Sequence, residues 1–470
     1  MSDPRNTKSA IRAAGCAGLL LLLATPPMAH AEDAPSPAPA DAASWFPLPL
    51  SGANAAGDQA WAIHGQSTLT WQLQPAYHAA YSGAQSLPRD ANGRETFDAT
   101  LFLGYSPWKG AEIWFNPEID QGFGLGNSFG VAGYLSGEAY KLGQQNPYYR
   151  LARLFVRQTV DLGGETVKLD PDANQLGMSV SANRLVFTVG KYAVTDIFVD
   201  NKYAHDPRGD FLNWSILDAG TFDYAADAWG ASYGATAEWY QGRWTARVGV
   251  FDLSNHPNST LLGSPVFQQD QVMGELEERH TLWEQPGKLK FLYWLSRGNF
   301  GTYNDALALA TATGQTPSTG NVRHLRNKVG ALINVEQQIQ PDLGFFLRAG
   351  VTQGGVEEDD FTDVDQSLSG GFALSGNRWN RPDDTVGIAA VVNQISHAAK
   401  AYLAAGGLGG IVGDGALKAA GPEQILETYY SYAAFSWANV TLDYQFVNNP
   451  AYNRQRGPVS VFALRTHVEF

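Results

Sequence analysis

The sequence predicts an all-β protein: a single 16-stranded antiparallel transmembrane β-barrel with short periplasmic turns and long extracellular loops. About sixteen segments alternate apolar and polar residues with a period of two, the pattern of strands that separate two media. The gaps between these segments are alternately long and short, as in outer-membrane barrels. After the N-terminal region, no stretch has the ~20 apolar residues that a membrane helix requires.

The first 31 residues have the three parts of a secretory signal peptide. A basic region that ends at Arg12 precedes a short apolar core at 13–24, and a small-x-small site ends at Ala31. We therefore expect cleavage after Ala31. The only cysteine of the chain, Cys16, lies in this segment, so the mature chain is expected to have no disulfide bond.

Two regions follow the signal peptide. Residues 32–60 are rich in alanine and proline and are predicted to form a periplasmic extension. Residues 61–470 contain the alternating segments and are predicted to be the outer-membrane β-barrel domain. The 50 glycines, 13 tryptophans, 20 tyrosines and 23 phenylalanines of the chain suit many turns and aromatic belts at the membrane surfaces.

The closing segment has the clearest alternation. Phe462, Leu464 and Val468 fall on one face of a strand, and Arg465 and His467 fall on the other. A strand that is apolar on one face and charged on the other fits a wall between lipid and water. The sixteen predicted strands contain residues 69–73, 97–103, 111–115, 154–160, 185–189, 231–239, 244–250, 272–281, 289–295, 329–335, 343–349, 364–374, 386–394, 425–435, 440–446 and 457–470.

The connections place both ends of the barrel on the periplasmic side. The first connection, at 75–95, is long, and the second, at 106–110, is short; this order then repeats along the chain. One connection departs from the scheme, because 162–183 is long where a turn is expected. We expect the flanking strands to extend into it, through 167–169 and 178–180.

Several classes of function have little support in the sequence. The net charge of −14 and the lack of a basic patch argue against nucleic-acid binding. Gly126–Gly130 matches G-x-S-x-G, but it lies in a glycine-rich loop without the strand and helix of a nucleophile elbow. The scattered histidines indicate no metal site. The acidic run at 357–365 is expected to be solvated loop charge. We predict no enzyme and no cofactor.

The faces predicted to point into the lumen are mixed. An ordinary polar lining with paired charges would account for them, but charged groups beside aromatic rings fit neutral polyols slightly better. The predicted inward residues are Arg153, Arg157, Arg243, Arg247, Lys288, Lys290, Lys328, Arg348 and Arg465, then Asp98, Glu112, Glu275, Glu277, Glu336, Asp443 and Glu469, and the aromatic Phe102, Trp114, Phe155, Trp294 and Phe346.

Four stretches carry a resemblance to a known family. They are WFNPEIDQGFGLGNSFGVAGYLSGEAYKLG (114–143), VGKYAVTDIFVDNKYAHDPRGDFLNW (189–214), FDYAADAWG (222–230) and DYQFVNNPAYNRQRGPV (443–459). Over nearly its whole mature length, the chain resembles the OprB-type carbohydrate-selective porins. The resemblance implies passive diffusion of small sugars through a 16-stranded barrel in the outer membrane of a Gram-negative bacterium, with a waist narrowed by inward-folding loops.

The resemblance also implies candidate residues for this waist. They are Trp114, Asn116, Glu118 and Asp120, with Arg153 and Arg157 on the next strand, and Asn201, Lys202, His205, Asp206 and Arg208 in a loop that otherwise braces the barrel. The expected partners are small sugars, outer-membrane lipid and the barrel-assembly machinery, which would bind the strand that ends at Phe470. A homotrimer is possible for this fold.

Two alternatives stay open. The chain is also similar to a manganese-uptake branch of the same family. Carboxylates near His205 would suit Mn²⁺, which takes oxygen and imidazole ligands. A general diffusion pore without a solute-binding waist is the other alternative.

Overall fold

The computed structural model describes residues 50–54, 57–139 and 143–470. The predicted signal peptide, and the alanine- and proline-rich extension up to residue 49, lie outside the described residues. Those two predictions therefore remain untested.

The described residues form a closed antiparallel barrel. Sixteen strands, β2 to β17, pair in sequence order, and β17 returns to pair with β2. The short β1 is an extra strand that pairs with β2. The strands are β1 (Ser51–Ala53), β2 (Gln59–Gln74), β3 (Asn92–Tyr105), β4 (Ala111–Gly122), β5 (Gln144–Leu169), β6 (Met178–Ala193), β7 (Ala231–Gln241), β8 (Trp244–Asp252), β9 (Asp270–Leu282), β10 (Gln285–Phe300), β11 (His324–Gln340), β12 (Leu343–Thr352), β13 (Gln366–Gly376), β14 (Arg381–Gln394), β15 (Glu423–Phe435), β16 (Ala438–Asn448) and β17 (Val459–Glu469).

The predicted architecture is confirmed. Each of the sixteen predicted segments falls on one strand of the ring. The long connection between β5 and β6 shortens as expected, because β5 continues to Leu169 and β6 begins at Met178. The register of the closing strand is also as predicted: Phe462 is 48% exposed on the outer wall, and Arg465 is fully buried inside.

Apolar side chains cover the outer face of the wall. Leu442 on β16, Val248 on β8 and Phe291 on β10 are all more than half exposed. Their inward neighbours along the strands are polar or tightly packed, which is the alternation that a strand between lipid and lumen requires. No helix among the described residues is both long enough and apolar enough to cross a membrane.

Three α-helices lie in the long loops that the structure describes. They are α1 (Trp214–Leu217), α2 (Tyr303–Thr313) and α3 (His397–Ala404). Helix α2 begins after Thr302, whose side chain accepts a hydrogen bond from the amide of Asp305, and ends at Gly314 in the left-handed conformation. Helix α3 begins in the same manner after Ser396.

The loop between β6 and β7, residues 194–230, folds into the barrel instead of standing above it. Its segment 211–228 is buried throughout. Side chains of the opposite wall hold its backbone: the carboxylate of Glu427 accepts from the amides of Leu212 and Asn213, and the guanidinium of Arg465 donates to the carbonyl of Asp210 at 2.9 Å. We call residues 194–230 the inner loop.

This arrangement corrects the predicted lining of the lumen. Arg348, Arg465 and Lys290 point inward as predicted, but they bind backbone carbonyls of the inner loop and do not face a water-filled path. Glu275 likewise accepts from the amide of Val199 at 3.0 Å. Arg243 is not inward at all, because it lies in the turn between β7 and β8 with its side chain 65% exposed.

The acidic run at 357–365 is a second correction. Its carboxylates are buried; Glu357 is 1% exposed and Asp363 is 7% exposed. Glu357 pairs with Arg323 at 2.8 Å, and Asp363 accepts from the amide of Ile411 at 2.7 Å. The run folds against the other loops, so it is structural and not a solvated surface patch.

Candidate functional site

A cavity of about 480 Å³ separates the inner loop from one side of the barrel. Strands β3 to β6 form its outer wall, and the inner loop forms the opposite side. Its lining extends from the periplasmic turn at 172–175 to Trp229, near the end of the inner loop. The charged lining residues are Asp98, Glu118, Asp120, Glu138, Arg150, Arg153, Arg157, Asp172, Asp196, His205, Asp206 and Arg208. We call this cavity the passage.

Strand alternation and one irregularity place the charged wall residues. Glu118 and Asp120 are two residues apart on β4, so both point inward. Between Asn116 and Pro117 the register with β5 shifts by a residue. Because of this bulge, Arg150 and Arg153 both reach the lumen although an odd number of positions separates them.

The four arginines of the passage are held by carboxylates. Arg150 bridges Glu118 and Asp120. Arg153 contacts Asp196 of the inner loop with two nitrogen–oxygen distances of 2.7 and 2.6 Å, which is a bidentate pair.

The other two arginines join separate parts of the chain. Arg157 donates to Glu112 at 3.2 Å and to the carbonyl of Asn174 at 2.8 Å. The contact with Asn174 holds the periplasmic turn at the periplasmic end of the lumen. Arg208 of the inner loop contacts Asp98 at 2.8 Å and Glu138 at 3.7 Å, so the inner loop is tied to β3 and to the loop after β4.

Aromatic rings complete the lining. Trp229 is half-buried, its indole N–H donates to the hydroxyl of Tyr148 at 2.7 Å, and the guanidinium of Arg150 lies 5.5 Å from its ring centre. Phe155 and Tyr192 pack edge to face on the wall, with ring centres 5.9 Å apart. The passage therefore offers ring faces next to charged hydrogen-bonding groups.

Neighbouring charges shift the ionisation of the loop groups. Burial disfavours the charged form of Asp206, but Arg208 and its backbone amide more than offset that effect and lower the pKa of the carboxyl. Burial, together with the charge of Asp98, raises the pKa of Glu138 well above its usual value. Asp206 is thus ionised at neutral pH, whereas Glu138 keeps its proton to a higher pH than a solvent-exposed glutamate does.

The family model of the carbohydrate-selective porins, OprB family, matches residues 84–470. The chain belongs to the OprB family. It is therefore an outer-membrane β-barrel porin of a Gram-negative bacterium and not an enzyme.

Solved structures with a similar fold include two outer-membrane proteins. The high-pH structure of Pseudomonas putida OprB aligns with a TM-score of 0.66 at 15% identity, over 87% of this porin and 94% of that chain. The outer membrane channel DcaP of Acinetobacter baumannii aligns with a TM-score of 0.50 at 9% identity, over 90% of this porin and 100% of that chain. The comparison with curated proteins gives no match.

Seven of the candidate residues predicted from the sequence surround the passage of this porin: Glu118, Asp120, Arg153, Arg157, His205, Asp206 and Arg208. The structure thus brings the β4–β5 candidates and the second half of the loop candidates to one cavity.

The other four candidates lie elsewhere. Trp114 is fully buried, with its ring against Gly104, so it is not the aromatic group of the passage. Asn116 donates to Asn174 at 2.7 Å, and Asn201 donates to Asn334 at the same distance, so both brace the fold. Lys202 is exposed but does not line the passage, and its backbone amide donates to Glu336 at 2.9 Å.

Sequence reasoning missed several residues of the passage, among them Arg150, Asp196, Asp98 and Trp229. Arg150 and Asp196 face the lumen only because of the bulge in β5 and the fold of the inner loop, which no periodicity reveals. Asp98 was predicted to point inward but was not chosen. Trp229 lies in the stretch 222–230 that carried the family resemblance, and this was the one signal that could have found it.

The chemistry of this lining is that of a conduit. Among the residues that the structure describes, no group of three or more His, Cys, Asp or Glu side chains is arranged to hold a metal ion. The lining instead combines fixed charge pairs with aromatic faces. Such pairs can exchange hydrogen bonds with a passing solute without any bond being made or broken.

Proposed function

We propose that this porin admits small sugars to the periplasm by passive diffusion through the passage. The observation that carries the proposal is the cluster of Trp229, Arg150 and Asp120, in which an aromatic ring lies beside a guanidinium and a carboxylate. Sugars present C–H faces that pack on aromatic rings and hydroxyls that exchange hydrogen bonds with charged groups.

The dimensions of the passage also support a small solute. A volume of about 480 Å³ lies within the ~300–1,000 Å³ range of small-molecule sites. Because the inner loop fills the rest of the lumen, a solute in the passage contacts the wall on one side and the loop on the other. We therefore propose that the candidates that line the passage, from Glu118 to Arg208, form its narrow part.

The test is block of ion current by sugar in planar bilayers. With the wild-type porin, glucose is expected to reduce single-channel current in a saturable manner. Trp229→Ala is expected to weaken glucose binding about fivefold, which corresponds to ~1 kcal/mol for one lost aromatic face. Trp108→Ala is the matched control, because that indole is 60% exposed at a periplasmic turn, away from the passage.

Two outcomes contradict the proposal. Open channels whose current is indifferent to glucose up to high concentration would indicate a general diffusion pore. Saturable block by Mn²⁺ alone would favour the cation alternative, for which the described residues provide no ligand cluster. An equal effect of Trp229→Ala and Trp108→Ala would instead place the sugar contact elsewhere in the lumen.

A further inference from the structure

We infer that the passage sorts sugars by charge: neutral sugars and protonated amino sugars enter faster than sugar acids and sugar phosphates. The inference rests on the proposed function, because it concerns the solutes that use the same passage. Two observations carry it: the engagement of every arginine in the lining, and the presence of two carboxylates that form no ion pair with any described lysine or arginine.

The positive groups of the passage are already occupied. Arg150, Arg153 and Arg208 each contact one or more carboxylates, and each of the three has a nitrogen–oxygen distance below 3 Å. Arg157 is shared between Glu112 and a backbone carbonyl. Each guanidinium charge is therefore offset by a carboxylate, so an anionic solute gains less attraction here than at a free arginine, and displacement of the carboxylate would leave it without its partner.

The negative groups outnumber the positive ones. Asp172 in the periplasmic turn and Asp206 in the inner loop both line the passage and are exposed to it. In the described part of the chain, no lysine or arginine nitrogen lies within 4.0 Å of either carboxylate. Their side chains accept only from nearby amides, Asp172 from Ala173 at 2.7 Å and Asp206 from Arg208 at 2.9 Å.

Asp172 and Asp206 form no ion pair with the described lysines and arginines, and the lining has more carboxyl groups than arginines, so the passage has an excess of negative charge. At ~10 Å in water of low ionic strength, two unit charges repel a passing anion enough to lower its local concentration about three- to fivefold, and they raise that of a cation by a similar factor. A neutral sugar is unaffected by this field. The paired arginines and carboxylates still form hydrogen bonds with a neutral sugar. The negative charge therefore repels anionic sugars without weakening the contacts of neutral ones.

Swelling of porin-containing vesicles tests the inference directly. Wild-type vesicles are diluted into isosmotic glucose, glucosamine or glucuronate at about pH 6, where the amine of glucosamine is protonated. Glucuronate is expected to enter about three- to fivefold more slowly than glucose, and glucosamine at least as fast. In a potassium chloride gradient, the reversal potential is expected to have the sign of cation selectivity.

Two variants link the effect to the named carboxylates. The double variant Asp172→Asn/Asp206→Asn retains both acceptor oxygens and is expected to bring the rates for glucuronate and glucose close together. Asp383→Asn, an exposed carboxylate near a periplasmic turn and outside the passage, is the matched control and should leave the ratio unchanged.

The outcomes separate the two proposals. Equal entry of glucose and glucuronate through the wild-type porin would overturn the charge inference and leave sugar diffusion intact. A charge ratio that persists in the double variant would overturn the assignment to Asp172 and Asp206. Conducting channels that admit none of the three sugars would overturn the proposed function itself.

Discussion

The buried guanidinium of Arg348 offers the sharpest test of how the inner loop is held. Arg348 lies on β12, is 2% exposed and donates to the carbonyls of Ala204 at 2.5 Å, Ile216 at 2.9 Å and Leu217 at 3.2 Å. These acceptors lie at two separated points of the inner loop. Arg348→Met keeps the length and apolar stem of the side chain but removes all of these donors.

The cost of this change can be worked out from the contacts. A hydrogen bond from a charged donor contributes about 1.5–3 kcal/mol, so three of them give about 4–9 kcal/mol before compensation. Methionine recovers several kcal/mol because no charge is then buried. We expect the docked loop to lose about 3 kcal/mol, which raises the undocked fraction about 150-fold.

Single-channel recording measures the consequence. With Arg348→Met, we expect frequent transitions to a state of at least about twofold higher conductance, since an unfilled 16-stranded barrel encloses an open aqueous channel. Arg378→Met is the control, because Arg378 pairs with Asp342 at a periplasmic turn and does not contact the loop. Wild-type conductance and unchanged protease resistance of residues 194–230 in Arg348→Met would refute the reasoning.

Three further predictions concern stability. Burial and the charges of its acidic neighbours raise the pKa of Glu358 well above its usual value. At a pH above the pKa of the unfolded carboxyl, unfolding lets Glu358 ionise, so the loops lose stability as the pH rises. Glu358→Gln should therefore stabilise the loops at pH 7 by up to about 3 kcal/mol and leave them unchanged near pH 4, as hydrogen exchange would detect. Glu423 accepts from three buried amides, and Glu423→Ala should weaken loop packing by about 3 kcal/mol in thermal unfolding, whereas Glu423→Gln should cost less. Leu442→Arg, on the lipid-facing wall, should cost about 2–4 kcal/mol in urea unfolding from vesicles, whereas Trp283→Arg at a turn should cost almost nothing.

The barrel could be predicted from the sequence because the residues of each strand alternate between a lipid-facing apolar set and an inward-facing polar set. Leu442 and Phe462 face outward and Asp443 and Arg465 face inward, and a period of two is enough to assign them. The alternation of long and short connections predicted which end of the barrel faces the periplasm. The bulge opposite Asn116 escaped this logic, since a bulge changes which residues face inward without changing composition.

The interior was harder to predict because a polar side chain looks the same whether its partner is water or a loop carbonyl. Arg348 and Arg153 both point inward, yet the first is buried under the inner loop and the second lines the passage. The prediction that the acidic run is solvated was wrong for the same reason: Asp363 accepts hydrogen bonds from backbone amides of a loop more than forty residues away in the chain. Such long-range contacts leave no periodicity in the sequence.

Because the passage is off-centre, its two sides are held in place by different parts of the protein. One side belongs to strands β3 to β6, whose spacing is fixed by the hydrogen bonds of the barrel, and the other belongs to the inner loop, which is held by side chains such as Arg348 and Glu427. A loop of different length or charge that keeps these anchor points can therefore replace the inner loop without disturbing a single strand pair. Exchange of this one segment would therefore change one side of the passage and leave the barrel wall as it is.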